Sequence, residues 1–414
     1  MLKMTTLSRQ VVSFCKKKAT SLGDNMNRSI DGLKGRTSLV LGHCAGMIDI
    51  VALPVWVGIV LIGQYGLDPQ RAGTLVTLFL AAVVVCSLVV SPRVDRIRGT
   101  VAVPLGFGAA AAAFFALTTT TDYGTMAALH FMGGLGVGCG LSITHSTVGA
   151  SANPHRLIAI AFTALSVLSF GFLGGVPQLV SAKGGSVMFV VLGSIMLVAA
   201  LAAAIGFPER QVGTTRRGQP AVHTPIPRGV WFAMIGTSLM TLSHSMMLSY
   251  MERVGDSHGF SKEMILSVLL AVGIVNLFPG VVAAVFERKL SAHAVMIAGP
   301  VLQAVLGLTL TQSTAFGSYA VAAAVFPAVM IFTHTFVFAF LARNDASTRA
   351  VAATPVITMT GSAIGPMLGG VVAHHLGYTS IGWAVAAVAT IGVFCFWQAA
   401  RGTARGAGMV SAAA

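Results

Sequence analysis

The residues of this chain that could do chemistry are the few polar ones set inside long apolar runs. Of its 12 acids, only Asp49 lies in the middle of such a run, 12 residues past a start near position 37. At helical spacings of three, four and seven it is flanked by Ala45, Gly46, Ala52, Leu53 and Trp56. Small residues around one acid, with an indole above it, suit a cavity wall better than a lipid-facing surface. A charged carboxylate at the centre of a bilayer costs about 3 kcal/mol. A carboxyl there is suited to gaining and losing a proton, and Asp49 is the candidate for proton or substrate binding.

Five histidines also fall inside apolar runs: His43, His130, His145, His244 and His334. His130 and His145 are 15 residues apart, about 60° in helical phase, so one face carries both together with Gly134, Gly138 and Ser142. His244 is within a turn of Met240, Thr241, Ser243 and Met247. A neutral imidazole bridging two helices is the ordinary reading of each one alone. Taken together, His145, His244 and His334 join Asp49 as candidates for substrate or proton contact. Gln178, Asn276 and Gln303 are further polar groups inside runs, and Asn276 and Gln303 are taken with Trp56, His130 and Ser142 as cavity candidates. No His, Cys or acid cluster has metal-ligand spacing, so no metal site is expected. Cys44, Cys86, Cys139 and Cys395 read as small buried apolar residues. The glycine run 133–140 has neither nucleotide-binding spacing nor a loop context, and no G-x-x-x-x-G-K-[ST] loop occurs, so no cofactor is expected.

The elements that must position these groups follow from composition. Hydrophobic residues make up 55% of the 414 and charged ones 9%, against about 25% charged in a soluble domain. That excludes a soluble enzyme, a disulfide scaffold and a disordered chain. Polar breaks leave twelve apolar segments, near 37–63, 70–91, 100–119, 124–150, 157–182, 186–207, 228–254, 262–285, 292–312, 316–341, 351–375 and 380–398. Each is long enough to span a bilayer. With the N-terminus inside, alternate loops carry 22 Lys and Arg on the inner side and 4 on the outer. Both termini are therefore expected in the cytoplasm. The net charge of +14 then reports orientation and contact with anionic lipid, with no nucleic-acid partner. Residues 1–36 read as a cytoplasmic tail, 208–227 as a cytoplasmic linker and 401–414 as a second tail.

The two halves, 37–207 and 228–400, repeat each other. Tyr65-Gly66-Leu67 matches His258-Gly259-Phe260 at an offset of 193, Asp95-Arg96 matches Glu287-Arg288 at 192, and Gly174-Gly175 matches Gly369-Gly370 at 195.

Two motifs resemble those of the major facilitator superfamily. The loop Ser91-Pro92-Arg93-Val94-Asp95-Arg96-Ile97-Arg98-Gly99 has the family's acid–Arg pair and basic tail, with Ser91 where the family has Gly, and Glu287-Arg288-Lys289 repeats it. The pattern G-x-x-x-G-P-x-x-G-G is complete as Gly361-Ser362-Ala363-Ile364-Gly365-Pro366-Met367-Leu368-Gly369-Gly370, with a worn copy at Gly171, Gly174 and Gly175 followed by Pro177.

The resemblance implies an all-α membrane protein of twelve helices in two six-helix bundles. It implies that segments one, four, seven and ten line a central cavity. Asp95, Arg96, Glu287 and Arg288 would form a cytoplasmic gate, and the glycine–proline helices would serve packing and bending. Family members carrying multivalent anions present Arg in the cavity, and none lies mid-span here, so a neutral, cationic or weakly acidic lipophilic solute fits. The expectation is proton-coupled secondary transport, with efflux by antiport favoured by the worn helix-five motif. Uptake of an aromatic or other small organic acid or nutrient, a uniporter and a receptor on the same fold are the alternatives. The expected setting is a monomer in a cell membrane, most naturally the bacterial inner membrane, with a small molecule and protons as partners.

Overall fold

The computed structural model describes residues 29–209, 226–286, 289–345 and 349–412. Its described residues fold into helices, with no strand among them. In chain order the long helices are α1 (Leu33–Leu53, continued as a wider stretch Pro54–Ile62), α2 (Pro69–Val90), α3 (Gly99–Leu117), α4 (Tyr123–Gly149), α5 (Pro154–Lys183) and α6 (Ser186–Gly206). The second set is α7 (Arg228–Ser257), α8 (Lys262–Val275, resumed as Pro279–Phe286), α9 (Ala292–Gln312), α10 (Phe316–Asn344), α11 (Arg349–Leu376) and α12 (Ser380–Ala412). Eleven of these are long and apolar enough to cross a membrane. The remaining one, α7, carries Thr237, Thr241, Ser243, His244, Ser245, Ser249 and Glu252, all buried against other helices. Its polarity is spent inside the protein, which is why it is the least lipid-like of the twelve.

Local chemistry explains the element ends. Asp68, Asp122, Asn153, Ser261 and Ser291 cap the N-termini of α2, α4, α5, α8 and α9, each accepting from the backbone N–H three residues on. Gly66 and Gly259 have φ of 66° and 81° in the turns before α2 and α8, and Gly184 and Gly377 have 89° and 83° in the turns after α5 and α11. Both pairs are 193 positions apart, so the repeat read in the sequence recurs in the backbone at places where only glycine is comfortable.

Two features depart from uninterrupted spans. Pro54 removes a donor and crowds the preceding turn, and α1 responds by widening instead of ending, with Gly63 N–H bonding to Gly58 O and Tyr65 N–H to Val60 O. The eighth segment, expected unbroken over 262–285, stops at Val275 and restarts at Pro279. A proline disfavours helical backbone in the residue before it, and it suits the first position of a new helix. At the edges, α1 begins at Leu33 rather than near 37, and α12 runs on to Ala412.

The halves meet through α1 against α7, α2 against α11 and α5 against α8. The close approaches gather at the end that carries the 63–68 turn. There the Gly58 and Gly63 backbone meets Glu252 and Arg253 of α7, and the Gly73 and Gly370 backbone admits the Tyr250 hydroxyl. Thr77 Oγ1 accepts from the Met367 N–H at 3.1 Å. Toward the opposite end, where Asp95 lies, Val85, Leu88 and Val89 of α2 and Val281 and Val285 of α8 are exposed.

Candidate functional site

Asp49 is built into the α1–α4 seam. Gly42 and Gly46, on the same helical stripe, lack the Cβ atoms that would press on Thr144 and Leu141 of α4, so the two helices pack closely. Asp49 is 1% exposed. Its Oδ1 accepts from the Ile50 N–H at 2.8 Å, and Oδ2 has no partner among the described residues. A carboxylate left in that state, half-satisfied and dry, carries an uncompensated desolvation cost of several kcal/mol.

His145 finds a partner that the sequence reading did not pair with it. Nδ1 of His43 lies 2.9 Å from Nε2 of His145, joining α1 to α4. Phe162 of α5 meets the His43 ring edge-on, with centroids 4.7 Å apart.

Trp56 and His130 belong to a different cluster. Their rings stack at 5.5 Å, with Phe79 and Phe114 packed on the indole and Phe189 on the imidazole. Both are fully buried, and these aromatic partners all come from the first half. His130 donates Nδ1–H to the Met126 carbonyl at 2.7 Å. The common face expected for His130 and His145 therefore divides, each ring meeting its own partners. Ser142 turns to α2, its hydroxyl 2.9 Å from Ser87 Oγ and 2.7 Å from the Gly138 carbonyl.

In the second half, His244 is buried over Phe326 of α10, with Nδ1 lacking a partner among the described residues. His334 is half-buried and its Nε2 also has no partner among the described residues. Gln303 donates to the Met240 carbonyl at 3.4 Å and keeps Oε1 free of partners among the described residues. Asn276 occupies the break in α8 as the cap of its first piece, with Oδ1 unpartnered among the described residues.

Asp95 and Arg96 lie in the short 3-10 turn Ser91–Arg96 that follows α2. Glu287 and Arg288 lie outside the described residues. The two glycine–proline motifs differ in use. A Cβ at Gly361 would strike Ser238 and Thr241, one at Gly365 would strike Ser245 and the Leu242 carbonyl, and one at Gly369 would press on Tyr250 and Met246. Those three positions seat α7, and Gly370 faces α2 of the other half. Gly171 and Gly175 face open space, while Gly174 meets Leu270 of α8.

Composition did not single out the contact set at the 63–68 end. Tyr250 places its hydroxyl 2.9 Å from the Pro69 carbonyl and 2.8 Å from that of Pro366. Glu252 and Arg253 form a two-pronged pair at 2.6 and 3.0 Å, and Arg253 also reaches Asp256 at 3.2 Å. Adjacent opposite charges at the end of an apolar run were the available signal. Among the described residues, no group of three or more His, Cys or acidic side chains could hold a metal ion.

Two helical bundles meeting at one end, with buried unpaired polar groups inside, are the architecture of a membrane transporter. Two solved structures of a bacterial homolog of the human lysosomal transporter Spinster, both inward-facing, one occupied and one unoccupied, are similar to this chain. In each case the TM-score is 0.67 and the identity 13%, with 89% of this chain and 96% of that one covered. A D-xylose–proton symporter matches at a TM-score of 0.67 and 16% identity, over 88% of this chain and 97% of that one. No curated protein matches the sequence. The family model of the Major Facilitator Superfamily matches residues 39–353. With that match over most of the chain, and with the multi-pass helical fold it carries, the protein belongs to the Major Facilitator Superfamily of transporters.

Proposed function

We propose that this protein is a proton-coupled secondary transporter of a small organic solute, neutral, cationic or weakly acidic, working by alternating access in a cell membrane. The observation that carries the reading is Asp49: a mid-span carboxyl, fully shielded, with one oxygen unpartnered among the described residues. A group that is dry in this arrangement exchanges its proton in another, and that dependence on conformation is what coupling requires. One proton moved down 100 mV supplies about 2.3 kcal/mol, enough for roughly 50-fold solute accumulation. A proton symporter among the similar structures supports the choice of ion.

Contacts between the halves at the 63–68 end, through Tyr250 with Pro69 and Thr77 with Met367, support an arrangement closed at that end. The 22-to-4 division of basic residues supports an orientation with both termini cytoplasmic and the protein in a bacterial inner membrane. His244, His334, Asn276 and Gln303 are the proposed solute contacts, His145 is kept with Asp49 for the proton, and Asp95-Arg96 with Glu287-Arg288 form the proposed inner gate. The direction we favour is efflux by antiport, since the cavity-lining helices carry no Lys or Arg in mid-span.

The test is transport into proteoliposomes of a solute chosen by a thermal-shift screen of the purified protein. An imposed proton gradient should drive accumulation against the solute gradient. Rates indifferent to that gradient would select a uniporter.

A further inference from the structure

We propose that His43 and His145 form a relay site that holds a single proton on its way between Asp49 and the Asp95 end, an inference that rests on the proton-coupled transport proposed above. The two residues are 102 positions apart, yet Nδ1 of one lies 2.9 Å from Nε2 of the other. At that separation one nitrogen carries a hydrogen and the other a lone pair. In the neutral pair, one ring donates to its neighbour. One added proton makes an imidazolium that donates to a neutral imidazole, a charge-assisted hydrogen bond. A second added proton would set N–H against N–H between two like charges, which repel. The arrangement holds one proton and refuses the next.

Nothing around His43 fixes which ring is the donor. The residue is fully buried, and its Nε2 has no partner among the described residues. A purely structural imidazole is held in one tautomer by a carbonyl or carboxylate, as Met126 holds His130. Here the second ring nitrogen is left open, so the proton can rest on either side of the pair.

Among the described residues no charged side chain is seen in contact with the pair. From α5 come Phe162 and Ala161, whose carbonyl lies 3.9 Å from the Cys44 sulfur. From α4 comes Thr144, which packs on Gly42. Helix α6, which also packs on α1, has no titratable side chain. The charged pair of α7, Glu252 and Arg253, meets α1 at its far end, at Gly58 and Gly63. On the other side, Arg36 is exposed, 3.5 Å from Asp31. His145 is half-buried and four residues from Gly149, the last residue of α4. Asp49 lies six residues beyond His43 on α1, about 9 Å by helical rise. The pair therefore lies between Asp49 and the Asp95 end.

The test uses the full chain in lipid nanodiscs with isotope-labelled histidine, the proton itself being the probe. The expected result is one titration step shared by both rings, with nitrogen–nitrogen coupling across the hydrogen bond. Either H43Q or H145Q should abolish that step, and H130Q should leave it intact. Rings that titrate separately, or a step that survives H43Q and H145Q, overturn the site. Spin labels across the Asp95 end then separate the site from the transport reading. The expected result is a distance distribution that responds to pH in the wild type and loses that response in H145Q. An equal response in H145Q overturns the site while proton coupling stands. A pH-indifferent wild type whose rings share a step upholds the site and overturns its relay role.

Discussion

The hydroxyl of Tyr250 lies 2.8 Å from the Pro366 carbonyl and 2.9 Å from that of Pro69, so one phenol of α7 ties α11 to α2 across the two halves. Its single proton serves one carbonyl at a time, and Gly73 and Gly370 leave the room it occupies. Tyr250→Phe keeps the ring packing and removes the donor. It should weaken closure at this end by about 1 kcal/mol, roughly a fivefold shift toward the open form. Spin-label distances between the 63–68 and 374–379 turns would register that shift, and an unchanged distribution would deny the bond a gating role.

Gly73→Ala should act in the same direction through sterics. Its new methyl would press on the Pro366 carbonyl and on the Tyr250 hydroxyl. Backbone yields less readily than a flexible side chain, so the expected effect is about 1–3 kcal/mol against the closed form. Cysteine accessibility along α2 should rise in this variant, and the double variant with Tyr250→Phe should show less than the sum, because both act on one contact.

The two glycine motifs make opposite predictions. Gly365→Ala would drive a methyl into Ser245 and the Leu242 carbonyl, whereas Gly171→Ala meets nothing within 4 Å. Thermal unfolding in detergent should fall by several degrees for Gly365→Ala and stay level, or rise slightly, for Gly171→Ala. Equal behaviour of the pair would mean that α7 does not seat on α11 as described.

The succession of long helices was legible in the sequence, because a bilayer demands long apolar segments. The repeat was legible for a similar reason: Gly66 and Gly259 hold left-handed turns, which tolerate little else. What stayed hidden depends on partners distant in sequence. Nothing along α1 announces that His43 meets His145, and Tyr250 is one aromatic residue among many until Pro69 and Pro366 come to it. Trp56 sits on the same stripe as Asp49, so spacing alone could not tell a cavity wall from the packed cluster with Phe79 and Phe114. The break at Pro279 and the widening at Pro54 show one residue type with two outcomes, which the residue type alone does not distinguish.

The Asp95-Arg96 turn offers a separate test of the proposed inner gate. Asp95→Asn should change turnover more than solute affinity, since it biases the equilibrium between conformations without touching the solute. Transport at varied solute concentration would separate the two, and a change confined to apparent affinity would move the gate elsewhere.

The central claim, that Asp49 carries the proton whose movement drives transport, is tested most directly by comparing wild type and Asp49→Asn in proteoliposomes under an imposed proton gradient. The amide can still hydrogen-bond, but it cannot take up and release a proton as the cavity changes sides. Asp49→Asn should therefore lose uphill accumulation and retain exchange of solute down its own gradient. Accumulation by the Asn variant equal to that of the wild type would contradict the claim.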